Sequence, residues 1–221
     1  QLISNEFDIP QLNRKRRIAA ILPHDYNTTT KRYPVLYLQD GQNLYSDYSP
    51  FGSWGVDKSM TSLAEEGKGD VIIIAIDHGG VDRIEEFNPF PTVKITNSQG
   101  RHYVDFLKDT LKPYVDSHLR TLPDRKNTAI GGSSMGGLIS IYSGMRYPDV
   151  FSKLMVFSPS LWVNPNVHFE AIHISKIFNS KIYLYAGERE GASMVPLVKH
   201  FKESLIKKGF DSTMINFKIS I

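Results

Sequence analysis

Residues 127–142 read NTAIGGSSMGGLISIY, two adjacent serines among four glycines, with an apolar run before them and a helix-like run after. A strand that turns straight into a helix through a reactive serine needs small residues two before and two after it, so that the crossing chains can approach. Only one register satisfies G-x-S-x-G: Gly132, Ser134 and Gly136. With Ser133 at the centre, Met135 would have to be glycine. The strand pattern ends at Ile130 and a helix pattern begins at Met135, the setting such an elbow requires. A glycine-rich phosphate cradle at a helix N-terminus is the competing use of such a stretch. It would carry G-K-[ST] or G-x-G-x-x-G, and neither is present. Ser134 is therefore the candidate nucleophile.

Outward from this elbow, short β-branched runs alternate with helical patterns. RRIAAILP, YPVLYLQD, DVIIIAID, NTAIGG, KLMVFSP, KIYLYAGE and TMINFKISI read as strands. Helices are expected over 103–118, 135–146 and 195–208, the last presenting Leu197, Val198, Phe201 and Leu205 on one face and stopping at Gly209. This order predicts a largely parallel sheet covered by helices on both faces. The stretch 84–101, IEEFNPFPTVKITNSQGR, has no period. It follows a strand, which places it on the edge where such sheets bind ligands.

The totals fit this picture. The 221 residues suffice for a single domain spanning 1–221, with 41% hydrophobic, 11% aromatic and 22% charged residues. The net charge of +3 is mild and the one basic cluster, Arg14 to Arg17, is short, which gives no nucleic-acid face. With no cysteine, thiol nucleophiles, thiolate metal sites and disulfides are excluded, and the compartment stays open between cytoplasm and periplasm. No run is long enough for a membrane helix, and the start has no leader-like pattern. Because the first residue is not Met, a leader has been removed or the chain is part of a longer one.

Acyl transfer at Ser134 requires two N–H donors aimed at the oxyanion. The backbone of Met135 supplies one. The other is expected from LQDGQNLY after the third strand, where Gly41 lets the chain turn so that the N–H of Gln42 faces the site; alternatively, Asp-Gly is a plain turn. An acid should follow the seventh strand, in the order Ser, Asp/Glu, His, and KIYLYAGEREGASM offers Glu188 and Glu190. The histidine should sit just beyond the eighth strand, where the chain stops at Ile221. Of the seven histidines, His78 in AIDHGG is the one on the expected ligand edge. The third strand should separate it from the nucleophile's strand, leaving it about 9.6 Å away at ~4.8 Å per strand. His78 is thus expected to line the pocket rather than to accept the proton. The chain is expected to continue past Ile221 and to carry the base a few residues on.

These segments together resemble the putative esterases of the α/β-hydrolase superfamily, which include the enterochelin (ferric siderophore) esterases and esterase D-like enzymes. The resemblance runs over nearly the whole length, on RYPVLYLQDGQNLY, WGVD, RIEEFNP, TLPDRKNTAIGGSSMGGLIS, YPDVFSKLMVFSPSLW and YAGEREG. It implies an α/β-hydrolase fold, Ser134 as nucleophile, Met135 and Gln42 as oxyanion donors, and Glu190 as the acid of a G-x-x-E pattern beginning at Gly187. It also implies a histidine in a C-terminal G-x-H-like segment, from which this chain departs by ending first. Arg83 and Glu86 match the family's R-x-x-E stretch and either contact substrate or form a structural ion pair. Trp54 and Trp162, each on a loop after a strand, either wall the acyl pocket or simply pack.

The reading that results is a serine carboxylic-ester hydrolase acting on a small-molecule ester, siderophore-like or general, with no metal, organic cofactor, nucleic-acid or membrane partner. A feruloyl or acetyl ester of a polysaccharide is the alternative substrate. A catalytically inactive hydrolase fold used for binding is the alternative of another class.

Overall fold

The computed structural model describes residues 1–45, 52–164 and 179–221. Eight strands form one sheet in the order β1-β2-β4-β3-β5-β6-β7-β8. They are β1 (Leu2–Ile9), β2 (Arg14–Ile21), β3 (Val35–Gln39), β4 (Ile72–Ile76), β5 (Thr128–Ser133), β6 (Lys153–Phe157), β7 (Lys181–Gly187) and β8 (Ile215–Ser220). β1 and β2 pair antiparallel, as do β2 and β4, and every pairing from β4 to β8 is parallel. The third strand does lie between the fourth and the fifth.

Alternation along the central strands splits the core into two layers. Val35 and Tyr37 of β3 and Ile72, Ile74 and Ile76 of β4 enter one cluster, whereas Leu36, Leu38, Ile73 and Ala75 enter the other. Both faces are buried, which is why these strands read as unbroken apolar runs. The larger layer is closed by α3 (Gly100–Phe106), α4 (Lys112–His118), α5 (Met135–Arg146) and α6 (Met194–Lys207). The smaller is covered by α1 (Val56–Glu65) through Val56 and Met60. Helix α5 packs on β5 and β6 and is buried along nearly its whole length. A π-turn over Leu107–Leu111 joins α3 to α4, so the expected helix 103–118 is one continuous element. Helix α6 ends in a left-handed Gly209 (φ 98°), with the Phe210 N–H reaching back to the Leu205 carbonyl at 3.1 Å. Among the described residues no helix is long and apolar enough to cross a membrane.

Strand β1 had no sequence signature. Its pairing with β2 carries irregularities on both sides of Ser4, so apolar and polar residues do not alternate cleanly along it. The basic cluster is the start of β2, and its three arginines are engaged within the protein while Lys15 stays at the surface. Arg16 (9% exposed) and Arg14 each reach Glu86 Oε1 at 2.6 Å, and Glu86, on the single turn α2 (Arg83–Glu86), is fully buried. Arg17, on the opposite face of the strand, donates to Tyr45 Oη at 2.6 Å and Asp77 at 3.3 Å. Gly79 closes over this network; a Cβ there would lie 2.7 Å from Arg16 Nη1 and 2.8 Å from Glu86 Oε2.

A buried ion pair adds little net stability, but removing one partner strands the other charge. Glu86→Ala is expected to lower unfolding free energy by about 3–5 kcal/mol, read as a reduced urea midpoint at an unchanged slope.

Candidate active site

Three neighbouring parallel strands end in residues with left-handed backbone: Asp40 after β3 (φ 58°), Ser134 after β5 (φ 57°) and Ser158 after β6 (φ 43°). Non-glycine residues pay for such conformations, and they persist only where the surroundings over-determine them. Ser134, at φ 57° and ψ −122°, is over-determined. Its N–H donates to the Phe157 carbonyl at 3.0 Å, and its own carbonyl accepts from Ser160 N–H at 3.0 Å and Leu138 N–H at 3.1 Å. Its Oγ sits 2.9 Å from Ser160 Oγ, and Ser160 is buried.

The glycines of the elbow follow from contact distances. A Cβ on Gly132 would come within 2.7 Å of the Gly136 backbone, and one on Gly136 within 2.9 Å of Asp40 Oδ2. Strand β5 and helix α5 therefore cross with no room for a methyl group. At the end of β3, contrary to expectation, Gly41 does not make the turn. Asp40 takes the left-handed conformation, while Gly41 is required because a Cβ would lie 2.7 Å from Asp77 Oδ1 and 2.9 Å from the β4 backbone.

Ser134 is partly exposed and opens onto a cleft of about 510 Å³ lined by Asp40, Trp54, His78, Val81, Arg83 and Ile84 among others. Met135 heads α5 and Gln42 lies in the short turn Gly41–Asn43, so the N–H of each is among the donors a helical turn leaves without an internal acceptor. The Gln42 side chain is pinned to the β4 loop, accepting from His78 N–H at 2.9 Å.

Arg83 and Glu86 do not pair with each other. Glu86 is held by Arg14 and Arg16. Arg83 instead clamps Asp40 through two parallel bonds, Nε to Oδ1 at 2.6 Å and Nη2 to Oδ2 at 2.8 Å. This fork ties the loop after β4 to the loop after β3, beside the elbow. Trp54 stands edge-on to Phe157 at 5.7 Å in the wall of the first cleft. Trp162 does not reach that cleft; it lines a second one with Ile84 and Met135.

Glu188 and Glu190 form a single turn after β7, both exposed, and two strand spacings (about 9.6 Å) separate β7 from β5. Glu190 folds back over its own strand end, its Oε1 lying 2.5 Å from where a Gly187 Cβ would be. No described histidine hydrogen-bonds Ser134, and His168 and His173 lie outside the described residues. His78 shares the cleft with Ser134, but its Nδ1 accepts the Gly80 N–H at 2.9 Å. A backbone N–H can only donate, so the neutral ring carries its proton on Nε2 and its basic nitrogen is occupied. Burial pushes the His78 pKa below the ordinary imidazole value, against a partial rise from Asp40. His78 is thus a neutral donor, not a base.

Ser160 and Asp40 carry no local signature of their own: they lie within FSPSLW and LQDGQ, and only the fold brings them to the elbow. The one His/Asp cluster among the described residues that could hold a metal is His24, Asp25 and Asp70. It lies at the amino-end edge of β4, away from the cleft, with the Lys31 ammonium already 2.8 Å from Asp25 and 3.7 Å from Asp70.

A family model described as "Putative esterase" matches residues 9–203. The chain is 24% identical over 219 residues to the uncharacterized protein YbbA of Bacillus subtilis, covering 92% of this chain and 83% of that one. It superposes on an IroE-like serine hydrolase from Shewanella oneidensis with TM-score 0.76 at 19% identity, covering 100% of this chain and 73% of that one. It superposes equally, at TM-score 0.76 and 20% identity, on the enterobactin esterase FES from Shigella flexneri, of which it spans 53%. These structural likenesses establish the α/β-hydrolase fold.

His78 is expected to titrate below 6.5, with the Nε2–H tautomer visible by ¹⁵N NMR at neutral pH. The unfolded chain binds this proton more readily than the folded one. Stability should therefore rise with pH through the window just below 6.5 and fall as pH drops through it, and His78→Gln should flatten that slope.

Proposed function

The chain belongs to the putative esterase family, and we propose that within it the protein is a serine hydrolase that cleaves a small-molecule carboxylic ester through an acyl-enzyme. The backbone of Ser134 carries this reading: a left-handed serine held from three sides on a strand-to-helix elbow, partly exposed and facing an open cleft. The hydroxyl meets Ser160 Oγ at 2.9 Å, but that contact does not call for a positive φ, and the strain is explained by presentation of Oγ to the cleft.

In the proposed reaction Ser134 Oγ attacks the ester carbonyl, and the N–H groups of Met135 and Gln42 hold the oxyanion. A histidine outside the described residues takes the proton from Oγ and delivers it to the leaving oxygen. Glu190 orients that histidine from the end of β7. Water then releases the acid by the same route. The first cleft suits an aromatic or other apolar acyl group bearing hydrogen-bond acceptors. Trp54, Val81 and Ile84 supply apolar walls, with His78 Nε2–H and the Arg83 fork as polar donors. An aromatic ester of the siderophore type fits this lining, in line with the enterobactin esterase likeness.

A fluorophosphonate incubated with the full-length protein is expected to leave a covalent adduct on Ser134, detectable by intact mass. Ser134→Ala should lower kcat by roughly 10⁴- to 10⁶-fold, and Glu190→Gln should cost far more activity than Glu188→Gln. A protein that takes up no adduct and turns over no ester would instead be a hydrolase fold used for binding.

A further inference from the structure

We propose that the second cleft, on the far side of Ile84, is the subsite for the alcohol half of the ester, and that it takes an apolar, ring-sized leaving group. The inference rests on the hydrolytic role of Ser134 proposed above and adds the division of the substrate between two clefts.

The second cleft has a volume of about 590 Å³ and is lined by Ile84, Thr92, Val93, Ile95, Met135 and Trp162, with Lys94 and Val163. It meets the first along Ile84, which lines both, and its floor includes the residue that follows the nucleophile. A substrate whose carbonyl carbon is at Ser134 Oγ can therefore extend one substituent into each.

Sheet order decides which substituent goes where. The first cleft is built by loops after β3 and β4, on one side of β5. The second shares the segment after β4, through Ile84 and residues 92–95, but adds Trp162 and Val163 from the loop after β6, which place its far wall on the side of β5 that leads to β7 and β8. The acid candidates end β7, so the proton relay approaches from that side. In acylation the Oγ–C bond forms, the C–OR bond breaks, and the proton removed from Oγ is returned to the departing oxygen. That oxygen must face the relay, so OR lies in the second cleft and the acyl group in the first.

The chemistry of the lining identifies the occupant. Val93 is 100% exposed, and Ile84 and Trp162 are each 51% exposed. With Val81 and Trp54 from the first cleft, they make up more than half of the exposed large apolar side chains among the described residues. Scattered apolar residues on a surface need no explanation, but a group collected around one reactive serine marks a recognition surface. An aryl or branched alkyl alcohol would cover it. A methyl group would leave it wet.

The test uses the full-length protein on methyl and benzyl benzoate, which differ in the alcohol, and on methyl acetate, which differs from methyl benzoate in the acid. Trp162→Ala is expected to lower kcat/KM for benzyl benzoate by roughly 10- to 100-fold while changing the two methyl esters little. Val93→Asp, at a fully exposed position that cannot disturb the core, should act in the same direction. Trp54→Ala should change the benzoate-to-acetate ratio and leave the benzyl-to-methyl ratio alone. If the Trp162 and Val93 variants depress all three esters equally, or shift the acid preference instead, the assignment of the second cleft is overturned while the esterase remains. If no ester is turned over in a Ser134-dependent way, the hydrolytic role itself is wrong and the subsite falls with it.

Discussion

The architecture depends on one close crossing, that of β5 with α5 at Ser134. The two elements approach until a methyl group on Gly132 or Gly136 would overlap backbone or the Asp40 carboxylate. That distance can be kept only by a residue with positive φ between them. The conformational cost is met by three backbone hydrogen bonds, one to the last residue of β6, one from the loop after it and one from within α5. A strained serine on a rigid frame keeps its Oγ in one place, and a nucleophile that must meet a carbonyl at a fixed angle needs that. The neighbouring strands also end in residues of positive φ, Asp40 after β3 and Ser158 after β6. The carboxyl edge of the sheet thus concentrates strain where the ligand clefts open, while the amino edge carries none among the described residues.

A second constraint holds the outer wall. The segment after β4 has only the short turns Gly80–Asp82 and Arg83–Glu86 for regular structure, yet it forms half of the lining of the first cleft. Its position is fixed from beneath by Glu86, buried between Arg14 and Arg16, and from the side by the Arg83–Asp40 fork. Two strands distant in sequence, β2 and β3, therefore hold one turn through directional charged bonds. Apolar packing alone would let such a short turn slide.

How much of this could be read from the sequence depended on whether the cause was local. The elbow was legible because its sterics act over five residues and leave a fixed glycine spacing. The parallel strands were legible because burial on both faces makes them continuous apolar runs. The edge strand β1 was not, since its bulged pairing scrambles alternation. The R-x-x-E stretch named the right residues but implied the wrong partners: Glu86 bonds across 72 positions to Arg14, and Arg83 across 43 to Asp40. Nothing in a local pattern encodes such pairings. Ser160 was missed for the same reason, being 26 positions from the hydroxyl it touches. Trp54 and Trp162 looked equivalent as tryptophans on loops, and only the sheet order assigns them to different clefts.

Under the proposed hydrolytic role, the charge balance of the first cleft bears on turnover. An ester is neutral, but the acid released from it is an anion. A free guanidinium and a charged imidazole beside Ser134 would bind that product more tightly than the substrate and slow its departure. Here both cations are tempered. Asp40 accepts two of the Arg83 donors at 2.6 and 2.8 Å, and the Gly80 N–H together with burial keeps His78 neutral. The cleft keeps N–H donors for orienting an acyl group without a net positive charge to retain it. Anions should inhibit such a site weakly, and more so as pH falls far enough to protonate His78. The same geometry that denies His78 a role as base thus makes it useful as a donor, and in the proposed reaction leaves proton transfer to the opposite side of Ser134.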